Sequence, residues 1–77
     1  MSERAKLEAA VEKFAAAMKK RLLAKAKQGW SGWEDCLPDI EARLQRNAAS
    51  AALNGDQKSC VDAANLAMII WIKGQPK

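Results

Sequence analysis

Histidine and tyrosine are absent from the 77 residues, and phenylalanine occurs once. Without histidine there is no Ser-His or Cys-His catalytic pair, and the usual zinc sites lose one of their main ligands. Threonine is absent too and valine is scarce, whereas alanine is abundant, a composition that favours helices over strands. The absences therefore exclude the commonest hydrolytic chemistry and indicate an all-α fold.

Cysteine is also rare. Cys36 and Cys60 do not have CxxC spacing, so we expect free, partly buried thiols, with a disulfide or a metal site as the alternative. The N-terminus lacks the apolar stretch of a signal peptide. No apolar run reaches the roughly 20 residues that cross a bilayer. We therefore expect a cytoplasmic protein without a membrane partner.

The length predicts one small domain over residues 1–77, with a core that is marginal for a single copy. The net charge of +4 permits an anionic ligand or partner. There is no long basic run and no alternation of basic and aromatic residues, so we expect no nucleic-acid groove.

The segment 59–72 organises the rest of the chain. Its second half is apolar on every side, so neighbours on one face cannot cover it. We predict a buried central helix that packs against the other helices and against a second copy. The predicted oligomer interface is Leu66, Met68, Ile69, Ile70 and Trp71. Asp62 and Asn65, one turn apart, must face a cleft or form buried hydrogen bonds.

Three antiparallel helices are predicted, over about 2–28, 33–54 and 57–72, in an up-down-up order completed into a bundle by self-association. Ser2 is a suitable N-cap for the first helix and Gly29 a stop. The apolar stripe of this helix is Leu7, Val11, Phe14, Met18 and Leu22. The basic stretch 19–27 is a solvated face or, alternatively, a phosphate-facing rim.

The loop after the first helix contains Trp30 and Trp33, which can hold the loop onto the helices or stack on a base. Ser31 and Glu34 have the spacing of a capping box. In the second helix an apolar stripe of Leu37, Ile40, Leu44, Ala48 and Ala51 is predicted. Gly55 then ends this helix and Asp56 caps the third.

Several short motifs follow one another in order from Phe14 to the C-terminus. They are Phe14-x3-Met18, Lys27-Gln-Gly-Trp-Ser-Gly-Trp33, Arg43-Leu44, Gly55-Asp56 and Asp62-Ala-Ala-Asn-Leu-Ala-Met-Ile-Ile70. This order resembles the small phage-borne MazG-like nucleotide pyrophosphohydrolases of the all-α NTP pyrophosphatase superfamily. The resemblance implies dimers or tetramers of antiparallel helices and magnesium-dependent hydrolysis of nucleoside triphosphates to monophosphate and pyrophosphate.

In that family a Glu-x-x-Glu on one helix faces a Glu-x-x-Asp on the next, and the carboxylates hold magnesium. Here the first pair maps onto Asn47 and Ser50, and the second onto Ser59 and Asp62. Only Asp62 is still an acid. We therefore expect no metal or other cofactor and no catalytic residue, unless the chain is an active enzyme with magnesium.

The substitutions also change the charge of the site, because Arg43 and Arg46 lie beside it. Guanidinium groups bind phosphate oxygens directly, without metal. Alternatively, both arginines are solvated or pair with Asp62 or Glu41. The candidate ligand-binding residues are Trp30, Trp33, Arg43, Arg46, Asn47, Ser50, Lys58, Asp62 and Asn65.

The leading functional hypothesis is a catalytically inactive MazG-like phage protein in the host cytoplasm. It would bind and sequester a nucleotide or a nucleotide-derived immune signal, acting as an anti-defence protein. A second hypothesis is a small helical inhibitor that docks on a host defence or regulatory protein. The third is an active magnesium-dependent pyrophosphohydrolase.

Overall fold

The computed structural model describes residues 2–30 and 37–75. They form three helices, α1 (Glu3–Lys27), α2 (Leu37–Asn54) and α3 (Gln57–Lys73), and no described residue is in a strand. The predicted all-α, three-helix class is confirmed. Both ends of α1, both ends of α3 and the end of α2 lie within one residue of their predicted positions. The predicted start of the second helix at 33, and the capping box of Ser31 and Glu34, lie outside the described residues.

The helix ends follow the local chemistry of their sequences. The Ser2 hydroxyl accepts a hydrogen bond from the Ala5 backbone N–H at 3.1 Å, which satisfies one of the free donors of the first turn of α1. Gly29 and Gly55 have positive φ values of 92° and 62°, the left-handed conformation in which glycine carries no steric penalty. Asp56 occupies the N-cap of α3.

The third helix, α3, is central, as its apolar sequence predicts. It packs mainly against α2, to which the short Gly55–Asp56 connection joins it as an antiparallel hairpin. It also packs, over a smaller area, against α1. Among the described residues, the backbone of α1 approaches that of α3 and not that of α2. The bundle completed by self-association remains a prediction.

The core lies between α2 and α3. Its buried members are Ile40, Leu66 and Ile69, and the partly buried Trp30, Leu44 and Ile70 pack against them. Ala48, predicted to lie in the stripe of α2, is exposed instead. The inward face of α2 follows Ile40, Leu44, Asn47 and Ala51, so the half-buried amide Asn47 takes the position predicted for Ala48.

The apolar stripe of α1 is covered only in part. Met18 and Leu22 are half-buried, whereas Leu7, Val11 and Phe14 are 59%, 67% and 40% exposed. The predicted helical spacing is confirmed at Met18 and Leu22, which are both half-buried. The first three side chains of the stripe stay more exposed, and of these Phe14 borders a groove with Cys60 and Val61 of α3. Within the described ranges, no helix combines the length and the apolarity that crossing a membrane requires.

Candidate functional site

Two serines meet where α2 and α3 face each other. The hydroxyl oxygens of Ser50 and Ser59 lie 3.3 Å apart, and Ser59 also donates to the carboxylate of Asp56. A hydroxyl has a single proton, so Ser50 is the donor in the serine pair. These are two of the four positions that the resemblance maps onto metal carboxylates.

The hydrogen bond from Ser59 lowers the pKa of the Asp56 carboxyl below its ordinary value of 3.8. The nearby charge of Lys58 acts in the same direction. Asp56 is therefore ionised at neutral pH, and its carboxylate accepts the hydrogen bond of the Ser59 hydroxyl, in the first turn of α3.

Asp62, the one acid among the four positions that the resemblance maps onto metal ligands, pairs with Arg21 of α1. The guanidinium Nε lies 3.1 Å from the carboxylate Oδ1, and the two side chains are 34% and 14% exposed. Sequence reasoning did not single out Arg21. The signal available was the basic stretch 19–27, for which a phosphate-facing rim was one of the two interpretations.

Asn65 forms the second polar link between α3 and α1. Its side chain is 4% exposed, and Nδ2 donates to the backbone carbonyl of Met18 at 3.3 Å. No described residue is a partner for its Oδ1. The sequence predicts that Asp62 and Asn65 either face a cleft or form buried hydrogen bonds. Both form hydrogen bonds, and these bonds join α3 to α1.

These residues do not fit a magnesium site. Magnesium takes hard, preferably charged, oxygen ligands in octahedral geometry. Here Ser50 and Ser59 offer only neutral hydroxyls, which are hydrogen-bonded to each other. The carboxylate of Asp62 is paired with the guanidinium of Arg21. In the described ranges no cluster of three or more histidine, cysteine or acidic side chains could hold a metal ion.

Arg43 pairs with an acid on its own helix. Its Nε lies 3.0 Å from Asp39 Oδ2 one turn earlier, and both side chains are about half exposed, at 45% and 60%. The predicted pairing of Arg43 with Asp62 or Glu41 is therefore wrong, because Asp39 lies one helical turn before Arg43 and takes that place. Arg46 is exposed.

The main cationic feature is a groove between α1 and α3 with a volume of about 520 Å³. It is lined by Ala17, Lys20, Arg21, Ala24, Gln57, Lys58 and Val61. Lys20 and Lys58 are exposed, and no described acid lies within 4 Å of either amine. Of the three cations predicted to bind a ligand, Lys58 lines this groove, together with Lys20 and Arg21, whereas Arg43 and Arg46 do not.

A second, more apolar groove of about 380 Å³ adjoins the first towards the start of α1. The two share Ala17, Gln57 and Val61, and the second adds Phe14 and Cys60. Cys60 is a half-buried free thiol, as expected. Cys36 lies outside the described residues.

Trp30 serves packing. It is half-buried against the core, and the Lys25 amine lies 5.2 Å from the centre of its ring, within the range of a cation–π contact. The interpretation of Trp30 as a residue that holds the loop onto the helices therefore accounts for its contacts. Trp33 lies outside the described residues.

The predicted oligomer interface divides into two sets. Leu66 and Ile69 are 5% and 2% exposed within the chain itself, so a partner could not reach them. Met68 and Ile70 are half-buried, whereas Trp71 is 65% exposed. Trp71, followed by Ile72 at 42% exposure, is the part of this segment that a second chain could cover.

Comparison of the chain with known protein families, with curated proteins and with solved structures found no match.

Proposed function

We propose that this chain binds a phosphate-bearing small molecule, a nucleotide or a nucleotide-derived signal, without metal and without hydrolysing it. The observation that carries the proposal is the convergence of Lys20, Arg21 and Lys58 on one groove from two helices. Bound in this way, the ligand would be sequestered, in line with the anti-defence hypothesis.

The charges in the groove suit an anion. Arg21 is partly neutralised by Asp62, but Lys20 and Lys58 have no acidic partner within 4 Å among the described residues. Ammonium and guanidinium groups form short, charge-assisted hydrogen bonds with phosphate oxygens. The volume of about 520 Å³ lies in the range of small-molecule sites, about 300–1,000 Å³.

Two features favour binding over turnover. Hydrolysis of a phosphoanhydride by the related mechanism needs carboxylate-bound magnesium to activate water, and the corresponding positions carry the Ser50–Ser59 contact. The single remaining acid, Asp62, is held by Arg21. The motif order shared with MazG-like proteins makes nucleotides the first phosphate class to test.

The experiment is calorimetric titration in EDTA with pyrophosphate, ADP, ADP-ribose and a cyclic dinucleotide. We expect at least one to bind, and Lys20→Ala or Lys58→Ala to weaken it about 10- to 100-fold, the equivalent of one hydrogen bond to a charged group. Arg46→Ala is the matched control, because it removes the same charge outside the groove.

Three outcomes would contradict the proposal. These are no binding by any probe, binding that requires magnesium, or release of pyrophosphate from nucleoside triphosphates. If Arg46→Ala weakens binding and the lysine variants do not, the ligand lies on α2, as the sequence hypothesis had it, and the groove between α1 and α3 is not the site.

A further inference from the structure

We infer that the first half of α1 is the contact surface for a second copy of this chain, with the two α1 helices antiparallel. The surface consists of Leu7, Val11 and Phe14, which are 59%, 67% and 40% exposed. It lies at the opposite end of the chain from the interface that the sequence predicted on α3.

These three side chains continue a face that the chain already uses for packing. Spacings of three and four residues place them in line with Met18 and Leu22 on one side of the helix. Met18 and Leu22 are half-buried, and α3 lies against this face, because Asn65 bonds to the Met18 carbonyl. The same stripe is therefore half-buried at Met18 and Leu22 and mostly exposed at Leu7 and Val11, with Phe14 at the boundary beside Val61 of α3.

The single chain has surface to give to a partner. Its accessible area is 6008 Å², whereas a folded monomer of this mass exposes about 4,600 Å². This difference is taken over the whole chain and not over the α1 surface alone, and it is larger than the roughly 800 Å² that each partner contributes to a standard protein interface. Exposed apolar patches of this kind mark interaction sites. A second copy of this chain presents both the same exposed side chains and the groove beside Phe14 that can receive them.

The position of α3 fixes the relative direction of the two helices. Because α3 lies over the stripe at Met18, a partner helix can use this face only before that residue. Two parallel α1 helices would each collide with the α3 of the other chain in their second halves. Antiparallel helices overlap only in their first halves, which is the uncovered part.

The apolar groove beside Phe14 supplies a seat for the partner. It has a volume of about 380 Å³, and Ala10, Phe14, Ala17 and Val61 form most of its apolar lining. In an antiparallel pair with Leu7 of one copy opposite Phe14 of the other, Leu7 enters this groove. The arrangement is two-fold symmetric, so each copy gives one leucine and one groove.

Light scattering coupled to size exclusion, at about 100 μM protein, tests the inference. The wild-type mass should be twice the 8.4 kDa of one chain, and Val11→Lys should give the mass of one chain. Val11 is 67% exposed, so the lysine is not forced into the core, and circular dichroism should show unchanged helix content. Trp71→Lys is the control, because Trp71 is 65% exposed and lies outside the proposed contact surface on α1.

Cysteine cross-linking tests the direction of the helices. With Cys36 and Cys60 replaced by serine, an equimolar mixture of Leu7→Cys and Phe14→Cys chains should form the mixed disulfide dimer under mild oxidation. Neither variant alone should do so. A monomeric wild type, or a dimer that Trp71→Lys dissociates and Val11→Lys does not, overturns the inference. Cross-linking of Leu7→Cys with itself, and not with Phe14→Cys, overturns the antiparallel arrangement.

Discussion

Ser59 connects the N-cap of α3 to the second helix. Its hydroxyl donates to Asp56 and accepts from Ser50, so one side chain bonds to both sides of the turn between α2 and α3. In the magnesium site that the resemblance implies, this position would be an acid, which needs a cation nearby. A serine needs only a hydrogen-bond acceptor, which Asp56 provides.

Replacing Ser59 with alanine should raise the pKa of Asp56 towards its ordinary value, because the hydrogen bond from Ser59 is the main cause of the lowered pKa. A lowered native-state pKa stabilises the fold above the unfolded-state pKa. This contribution is lost as the pH falls through the native value, below about pH 4. Carboxyl NMR titration measures the change. Ser50→Ala keeps the Asp56 bond and should leave the pKa in place; equal shifts in both variants would contradict this assignment.

Arg21→Ala should destabilise the protein by about 1–2 kcal/mol, because it leaves the mostly buried carboxylate of Asp62 without its partner. Arg43→Ala breaks an exposed ion pair of the same geometry with Asp39 and should cost less than about 0.5 kcal/mol. Urea unfolding of both variants at one protein concentration makes the comparison. Similar losses for the two would show that burial of Asp62 does not matter.

The two arginine pairs show what the sequence can predict about side chains. Asp39 and Arg43 are four residues apart on one helix, so their pair could have been predicted from spacing alone. Arg21 and Asp62 meet only because α3 lies against α1 at one particular place. No local pattern shows where two helices will touch, so Arg21 could not be identified from the sequence as the partner of Asp62.

The turn between α2 and α3 depends on the conformation of Gly55. Its φ of 62° lies in the left-handed region, which costs other residues about 1–2 kcal/mol. Gly55→Ala should therefore lower the unfolding free energy by about that amount, although a Cβ there would meet no atom within 4 Å. Gly74→Ala is the control, since its φ is −83° and its Cβ would make ordinary contacts. Thermal or urea unfolding that ranks the two the other way would exclude a backbone origin.

These helix boundaries were predictable because they depend on residues within one turn of the helix end. Ser2, Gly29 and Gly55 act through hydrogen bonds and dihedral angles within one turn. The central place of α3 was also predictable, since its apolar second half has no polar face to turn to solvent. The uncovered half of α1 was not, because a helical period shows which face is apolar and not how far the neighbouring helix reaches.

The whole molecule is more extended than its length requires. The radius of gyration is 13.8 Å, whereas a compact chain of 77 residues has about 11.5 Å. Among the described residues only Ile40, Leu66 and Ile69 are buried apolar side chains, and such a small core gives a single copy little hydrophobic stabilisation. Assembly and folding should then be linked.

This linkage gives a prediction for the thermal midpoint. If dissociation accompanies unfolding, the Tm of the wild type should rise by about 3–6 °C for each tenfold increase in protein concentration. Differential scanning calorimetry or fluorimetry between about 5 and 500 μM measures it. Val11→Lys should show a lower Tm that does not depend on concentration. If the wild-type Tm does not depend on protein concentration, a single copy is stable without a partner and the predicted linkage is wrong.

Because α1, within the described part of the chain, packs against α3 and not against α2, its packing is delayed during protein synthesis until α3 has been made. On the ribosome α1 is made first, and the α3 residues that cover Met18 and bind Arg21 follow after α2. At about 5–20 residues per second, the wait from the end of α1 to Asp62 is about 2–7 s. Throughout that interval α1 carries an apolar stripe with no partner in its own nascent chain. Of the three helices, newly made α1 is therefore the first that a ribosome-associated chaperone, or a neighbouring nascent copy, could bind.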